Sequence, residues 1–467
     1  MNYLDKFPEI KELINKELED QRSSLKMIAS ENYCSPAVMQ AMANIFTDKY
    51  AEGYENHRFY AGCENVDKIE ELGRKYACEL FGCDHANIQP HCGTDANMMA
   101  YWAILNAKVL DPKFQELKKA YESSTSGKII KTYSDLSKSE WDYLRTSCHD
   151  QKLLAMDYYS GGHLTHGYRQ NISAQLFDCY YYSVGDDGLI DYEALRKQAL
   201  KIRPLILLAG YSAYPRALNF SKFREIVDEC GAVLMVDMAH FCGLVAGKVL
   251  QGVYDPIPYA DIVTTTTHKT FRGPRGGMIL CKEWLASSVD KGCPLAMGGP
   301  LANVMLAKVV ALKEALTDEY KEYAQQIVKN SKELAKWLQA FEVKVCTNGT
   351  ENHIVLLDVS SLGLNGRQAE YILRKYNITC NRNAIPNDPN GPWYTSGIRL
   401  GTAALTTRGF KEEDMRTIAL MIQTILNNAK PLSKSTAKIE DEFIEKTIVE
   451  TIKNLCNKHP LYEGLEI

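Results

Sequence analysis

The 467-residue chain lacks any apolar run near the ~18 residues needed to cross a bilayer. It lacks an excess of either charge: 54 basic residues stand against 58 acidic ones, for a net charge of −4. Nothing in that balance forms a footprint for nucleic acid. Its 14 cysteines are scattered and include no Cys-x-x-Cys pair, so they read as reduced thiols that mostly fill the core. Internal repeats and low-complexity segments are also missing. The first residues, "MNYLDKFPEIKELINKELED", are acidic and helical in pattern, without the basic flank and apolar segment of a signal peptide. A cytoplasmic protein that binds neither membrane nor nucleic acid is expected.

What is present is an ordinary globular composition, 45% hydrophobic and 24% charged, in a chain long enough for two or three domains. Short, continuously apolar runs alternate with helical segments. "PLILLAGYSAY" (204–214), "AVLMVDMAH" (232–240), "ADIVTTTTHKT" (260–270) and "GGMILC" (276–281) read as strands, and "KFREIVDECG" reads as a helix. Such runs predict a mostly parallel central sheet, buried on both faces by helices, with ligands beyond the strand C-termini. Ser212, Asp237, His240 and Lys269 all fall at or just after such ends. Residues 108–152, rich in Lys, Ser, Glu and Tyr, show no clean period and read as an inserted surface excursion. A long helical stretch from about 301 leads to a smaller C-terminal α+β domain, where "VKVCTNGTENHIVLLDV" predicts paired strands around an Asn-Gly turn. The expected organisation is an N-terminal helical arm (1–35), a large domain (36–300, with 108–152 inserted), and a linker helix with the small domain (301–467).

"TTTTHKTFRGPRGG" (264–277) places Lys269 between a strand-forming threonine run and a glycine-rich turn. Most loop lysines are solvated. One that points into a pocket must be paired, lose its proton or react, and Schiff-base formation is the reactive option. Asp237 ends an apolar strand and needs a partner. A helix cap or an ion pair would serve, and so would a pyridinium nitrogen, which a carboxylate keeps protonated. An acid for the ring and an amine for the aldehyde, on separate strand ends, suit pyridoxal phosphate. "HCGTDANMMAYWAIL" offers Gly93, then Thr94 as an N-cap, then an apolar helix whose free N–H groups bind an anion. "AMGGPLANV" offers a second glycine turn, Gly298-Gly299. In "GGHLTHG" a zinc reading of His163 and His166 lacks a third ligand, so no metal is expected. His163 is placed instead to stack on a flat ring, and His166 reads as a satisfied structural histidine. In "SGIRLGT" Arg399 presents a fork for a carboxylate, or a surface ion pair.

Together with "IASENY", "KYAEGY", "ENVD", "SAY" and "IPNDP", these motifs give a chain that resembles serine hydroxymethyltransferase along nearly its whole length. The resemblance implies a fold-type I pyridoxal-phosphate transferase, a homodimer or dimer of dimers with shared active sites. It would move the hydroxymethyl group of serine to tetrahydrofolate, leaving glycine. It implies that Lys269 is the Schiff-base lysine with His268 beside it, that Asp237 holds the ring nitrogen, and that His163 stacks on the ring. Ser212 and His240 flank the phenolic oxygen, and Gly93 and Thr94 cradle the phosphate. Tyr50 and Gly298-Gly299 serve the neighbouring subunit's phosphate. Arg399 and Ser30 take the amino-acid carboxylate, and Glu52 is the acid/base with Tyr60 beside it. Asn383, Leu164 and the Gly162 backbone meet the folate. Segment 108–152 has no counterpart in the shorter members. Cys92, Phe59, Tyr158 and Met297 depart from the serine, tyrosine, apolar residue and glutamine expected there. The departures at the folate wall motivate a second reading, and a third, from another class, stands beside it. One is a folate-independent β-hydroxy-amino-acid aldolase or racemase on the same scaffold, and the other is a non-catalytic family member.

Overall fold

The computed structural model describes residues 3–123 and 129–465. A seven-stranded sheet runs through it: β1 (His85–Asn87), β2 (Lys152–Met156), β3 (Asp178–Tyr182), β4 (Ile206–Gly210), β5 (Val233–Asp237), β6 (Ile262–Thr266) and β7 (Gly277–Cys281). Their order is β1-β7-β6-β5-β4-β2-β3. Strands β2 to β6 pair in parallel, and β7 runs antiparallel to both β6 and β1. The four apolar runs are β4 to β7, buried at every position. Alternation sends Leu207, Leu234 and Val263 to one face and Leu208, Met235 and Ile262 to the other. Phe220 and Phe223 of the Phe220–Cys230 helix and Leu312 of the Ala302–Ala315 helix cover the first face. Met99 and Ala103 of the Gly93–Leu105 helix and Val289 of the Glu283–Met297 helix cover the second. The chain is thus α/β with a mostly parallel central sheet between helical layers.

A second core gathers around a four-stranded antiparallel sheet, ordered Lys344–Val345, Ile354–Asp358, Gly397–Gly401 and Asn381–Asn383. Leu25 and Met27, inside the segment read as the N-terminal arm, are wholly buried in that core, and Leu25–Lys26 pairs in parallel with Ile378–Thr379. The segment 344–358 does pair, Lys344 with Asp358 and Val345 with Leu357, but not around a tight Asn-Gly turn. Thr347 and Asn348 both take positive φ, and the chain needs 346–353 to come back.

The 108–152 segment corrects the expectation of an excursion without period. A π-turn, Asn106–Leu110, carries the Gly93–Leu105 helix into another, Asp111–Glu122, and Lys138–Ser147 forms a further helix. Phe114, Ile130 and Leu144 are buried in a small core of their own, with Leu117, Tyr121 and Tyr133 packed against it. Phe114, Leu117 and Tyr121 have helical spacing, and Ser137 with Glu140 forms a capping box. Both signals lie in the sequence, hidden by the density of Lys, Ser and Glu around them. Residues 124–128 lie outside the described residues. Because this small core is separate from the main ones, Phe114→Ala, costing about 3 kcal/mol, is expected to raise amide exchange across 111–147 while β4 to β6 keep their protection. Equal loss of protection in the sheet would show the two to be one cooperative unit.

Candidate active site

Parallel pairing brings the strand ends level. Gly210 lies opposite Asp237, and Asp237 opposite Thr264, so the turns carrying Ser212, Asp237, His240 and Lys269 leave the sheet together. A cavity of about 370 Å3 opens there. Its lining includes Ser30, Gly93, Thr94, His163, Ser212, His240, His268, Lys269 and Arg399, nine of the residues singled out in the sequence.

Lys269 is 8% exposed, and burial pushes its amine down to about 8 against the pull of Asp237. Asp237, also buried, accepts from Asn97 Nδ2 at 2.9 Å and His166 Nε2 at 3.1 Å through Oδ2, and from the Ala239 N–H at 3.0 Å through Oδ1. Burial raises its pKa, but the His166 bond and the nearby His163 and Lys269 outweigh it and hold the carboxyl well below the usual range. Asp237 also brings the third group that the His163–His166 pair lacked in the sequence, its oxygen and the two ring nitrogens lying within 4.8 Å of one another. Those groups are joined in a hydrogen-bond network. His166 Nδ1 accepts from the His163 N–H, which leaves Nε2 to donate to Asp237. Asn97 Nδ2 also donates to Thr165 Oγ1, which lies 2.7 Å from His163 Nδ1. Burial and the charge of neighbours bring His163 down to about 4, so its ring is neutral. Burial lowers His268 to about 3 and His240 well below its ordinary value.

Arg399 sits on the central strand of the second sheet, between Leu356 and Asn381. Its Nε donates to Asn381 Oδ1 at 3.0 Å and its Nη1 to the Ser212 carbonyl at 2.6 Å, so the fork is aimed from both sides. Burial lowers Arg399 to about 10, which leaves it charged at neutral pH. The phosphate-type turn differs from expectation in one respect. Cys92, not Thr94, is the N-cap: its Sγ accepts from the Asp95 N–H at 3.4 Å, and Thr94 lies inside the first turn.

The other sequence candidates stand apart from this cavity. Tyr50 and Tyr60 pack edge to face with centroids 5.1 Å apart, and both are exposed. A Cβ on Gly299 would stand 3.3 Å from the Tyr50 ring, and one on Gly298 would stand 3.7 Å from Glu52 Oε1. These five therefore form one cluster among themselves. Leu164 is exposed, Gly162 N–H donates to the Asp157 carbonyl, and Asn383 pairs with Gly397 at the sheet edge.

His166, bonded at both ring nitrogens, is the satisfied structural histidine read in the sequence. Several other residues escaped sequence reading: Asn97 and Thr165 also hold Asp237 and His163, and Asn97 was legible as a lone amide in an apolar helix. His353 stacks on His240 at 5.5 Å. Arg58 Nη1 donates to the carbonyls of Ala51 at 2.9 Å and Gly53 at 3.0 Å, on either side of Glu52, while Gln89 Nε2 reaches the Gly53 carbonyl. Glu70 accepts from both Arg58 and Gln89. No local pattern announces that clamp, because its members come together only in the fold.

The family model for serine hydroxymethyltransferase matches residues 4–111 and 143–422. The chain belongs to the serine hydroxymethyltransferase family. It is 51% identical over 463 residues to a relative of that name in Mycolicibacterium smegmatis, covering 98% of this chain and 92% of the relative. Relatives of the same name in Cutibacterium acnes and Treponema pallidum are each 50% identical, with 98% of this chain covered and 93% and 79% of theirs. The family model passes over 112–142, inside the helical insertion, whereas these alignments take in nearly the whole chain.

A buried amine lowered to about 8 reacts at a pH where an ordinary lysine is protonated. Acetylation of Lys269 by acetic anhydride, followed by peptide mass spectrometry, is expected to rise with pH with a midpoint at about 8. A midpoint near 10.5, that of a solvated lysine, would contradict the environment described.

Proposed function

We propose that the chain transfers the hydroxymethyl group of serine to tetrahydrofolate, releasing glycine and methylenetetrahydrofolate, with pyridoxal 5′-phosphate held in the Lys269 cavity. The observation that carries the proposal is the convergence, in a chain of this family, of a reactive amine from the turn after β6, an ionised buried acid from the end of β5 and a buried guanidinium from the middle of the Gly397–Gly401 strand. The donor set fits that cofactor. Gly93 opens the Gly93–Leu105 helix beside the cavity, its unpaired N–H groups suit a phosphate, and a Cβ there would meet Thr266 at 2.7 Å. When bound, the cofactor supplies an aldehyde for an amine and a ring that draws electrons from bonds to the substrate Cα.

Each residue has its own task. Lys269 keeps a fraction of its amine uncharged near neutral pH, ready for the aldehyde. Asp237, held ionised, keeps a proton on the ring nitrogen. The neutral His163 ring covers a face of the cofactor. Arg399, its Nε and Nη1 fixed by Asn381 and Ser212, orients the substrate carboxylate together with Ser30. Glu52, its backbone clamped by Arg58 and Gln89, takes and returns the proton of the hydroxymethyl oxygen, with Tyr60 beside it. Tyr50, Glu52, Tyr60 and Gly298-Gly299 cluster away from the Lys269 cavity, among exposed Phe59, Leu295 and Leu301. Such an apolar surface favours a partner copy of this chain, whose cavity these residues would complete. Asn383, Leu164 and Gly162 serve the folate side of the entrance. The large domain (36–300) would then bind the cofactor, the small domain (301–467) would bring Arg399, and the 1–35 arm would bring Ser30.

Lys269→Ala is expected to abolish both the visible absorption band of the cofactor-loaded protein and serine cleavage. A wild type that stays colourless when supplied with the cofactor would sink the proposal. Glu52→Gln is expected to retain the band and lose roughly 10²–10⁴-fold in turnover. Adding tetrahydrofolate is expected to accelerate serine cleavage; an unchanged rate would favour a folate-independent aldolase.

A further inference from the structure

The Ala302–Ala315 helix buries a lysine in its apolar face. Lys308 is 1% exposed, and its Nζ donates to three main-chain carbonyls: Ile88 at 2.7 Å, Pro90 at 2.8 Å and Gly277 at 3.0 Å. A lysine that only filled space would be outdone by methionine, which carries no desolvation penalty. The identity of the three carbonyls shows what the charge holds together. Ile88 and Pro90 belong to the connection from β1 to the Cys92-Gly93-Thr94 turn, and Gly277 is the first residue of β7, just after the Lys269 loop. Pro90 also accepts from the Gly277 N–H at 2.9 Å, so the two segments are joined twice. A Cβ on Gly276 would stand 2.3 Å from Lys308 Cε, which gives the side chain its passage and accounts for a glycine in "GPRGG". The ammonium is close enough to Cys92, Asp95 and His268 for charge to be felt between them. Burial lowers its pKa, but donation to three carbonyls, which a neutral amine with two N–H bonds cannot match, holds it in the charged form.

We propose that Lys308 is a positioning residue for the anion turn, its ammonium locking the 88–92 connection onto β7 and adding positive potential where the cofactor's phosphate binds. The inference rests on the reading of this cavity as a pyridoxal-phosphate site, and goes beyond it by naming a residue that never touches the ligand. Pyridoxal, which lacks the phosphate, separates a role at the turn from a general role in the fold.

The experiment titrates cofactor-stripped wild type, Lys308→Met and Lys308→Gln with pyridoxal phosphate and with pyridoxal, read by protein fluorescence. Lys308→Met is expected to weaken pyridoxal phosphate by about tenfold or more, and to leave pyridoxal binding unchanged. Lys308→Gln, which keeps donors without the charge, is expected to fall between. Inorganic phosphate is expected to compete with pyridoxal phosphate on the wild type and more weakly on Lys308→Met. Wild-type affinity for pyridoxal phosphate in Lys308→Met overturns the inference and leaves the functional proposal standing. So does an equal loss for both ligands, or insolubility of both variants, since each assigns Lys308 to the core alone. A wild type that binds neither ligand overturns both.

Discussion

The site depends on one buried negative charge. A carboxylate taken out of water is costly unless its lone pairs are met, and an unmet one takes up a proton instead. Asp237 keeps its charge because Asn97, His166 and the Ala239 N–H meet it from three directions. Those partners come from the Gly93–Leu105 helix, from the 161–167 loop and from the turn after β5. Thr264 on β6 fixes the Asn97 amide in turn. The charge therefore ties together the elements that shape the cavity. The same network sets His163 through Thr165, so the acid and the imidazole are oriented by one set of bonds.

Two lysines show how burial yields different chemistry. Lys308 spends its three donors on carbonyls and becomes part of the frame. Lys269 sits at the edge of a cavity facing Arg399 and Arg275 as well as Asp237, so desolvation and like charge lower its amine and leave it reactive. The threonines ahead of it are not strand filler alone. The Thr266, Thr267 and Thr270 hydroxyls donate to the carbonyls of Ala239, Pro274 and His240, fixing the Lys269 loop to its neighbours.

Glu52 is handled by a different device. Its side chain is half-buried, while Arg58 and Gln89 donate to the carbonyls beside it and Glu70 accepts from both. A side chain whose backbone is fixed from within can reach outward with little loss of entropy.

The sequence by itself determined the sheet and the ends that carry chemistry, because a strand buried on both faces must be apolar throughout and a polar residue at its end stands out. Lys269, Asp237 and Ser212 were legible for that reason, and Arg399 as a charge set between the glycines of "SGIRLGT". It missed the helices of 108–152, where charged residues obscured the 114, 117, 121 spacing, and it misplaced the helix cap, since a thiol is an unusual acceptor. Tertiary structure alone decided who holds whom: Asn97 and His166 on Asp237, Arg58 and Gln89 around Glu52, Lys308 on the 88–90 connection and β7. It also decided that Glu52, Tyr50 and Tyr60 stand apart from Lys269. Such contacts join residues from five to 220 positions apart, and no local pattern encodes them, since hydrogen-bond partners are set by where the packed elements bring them.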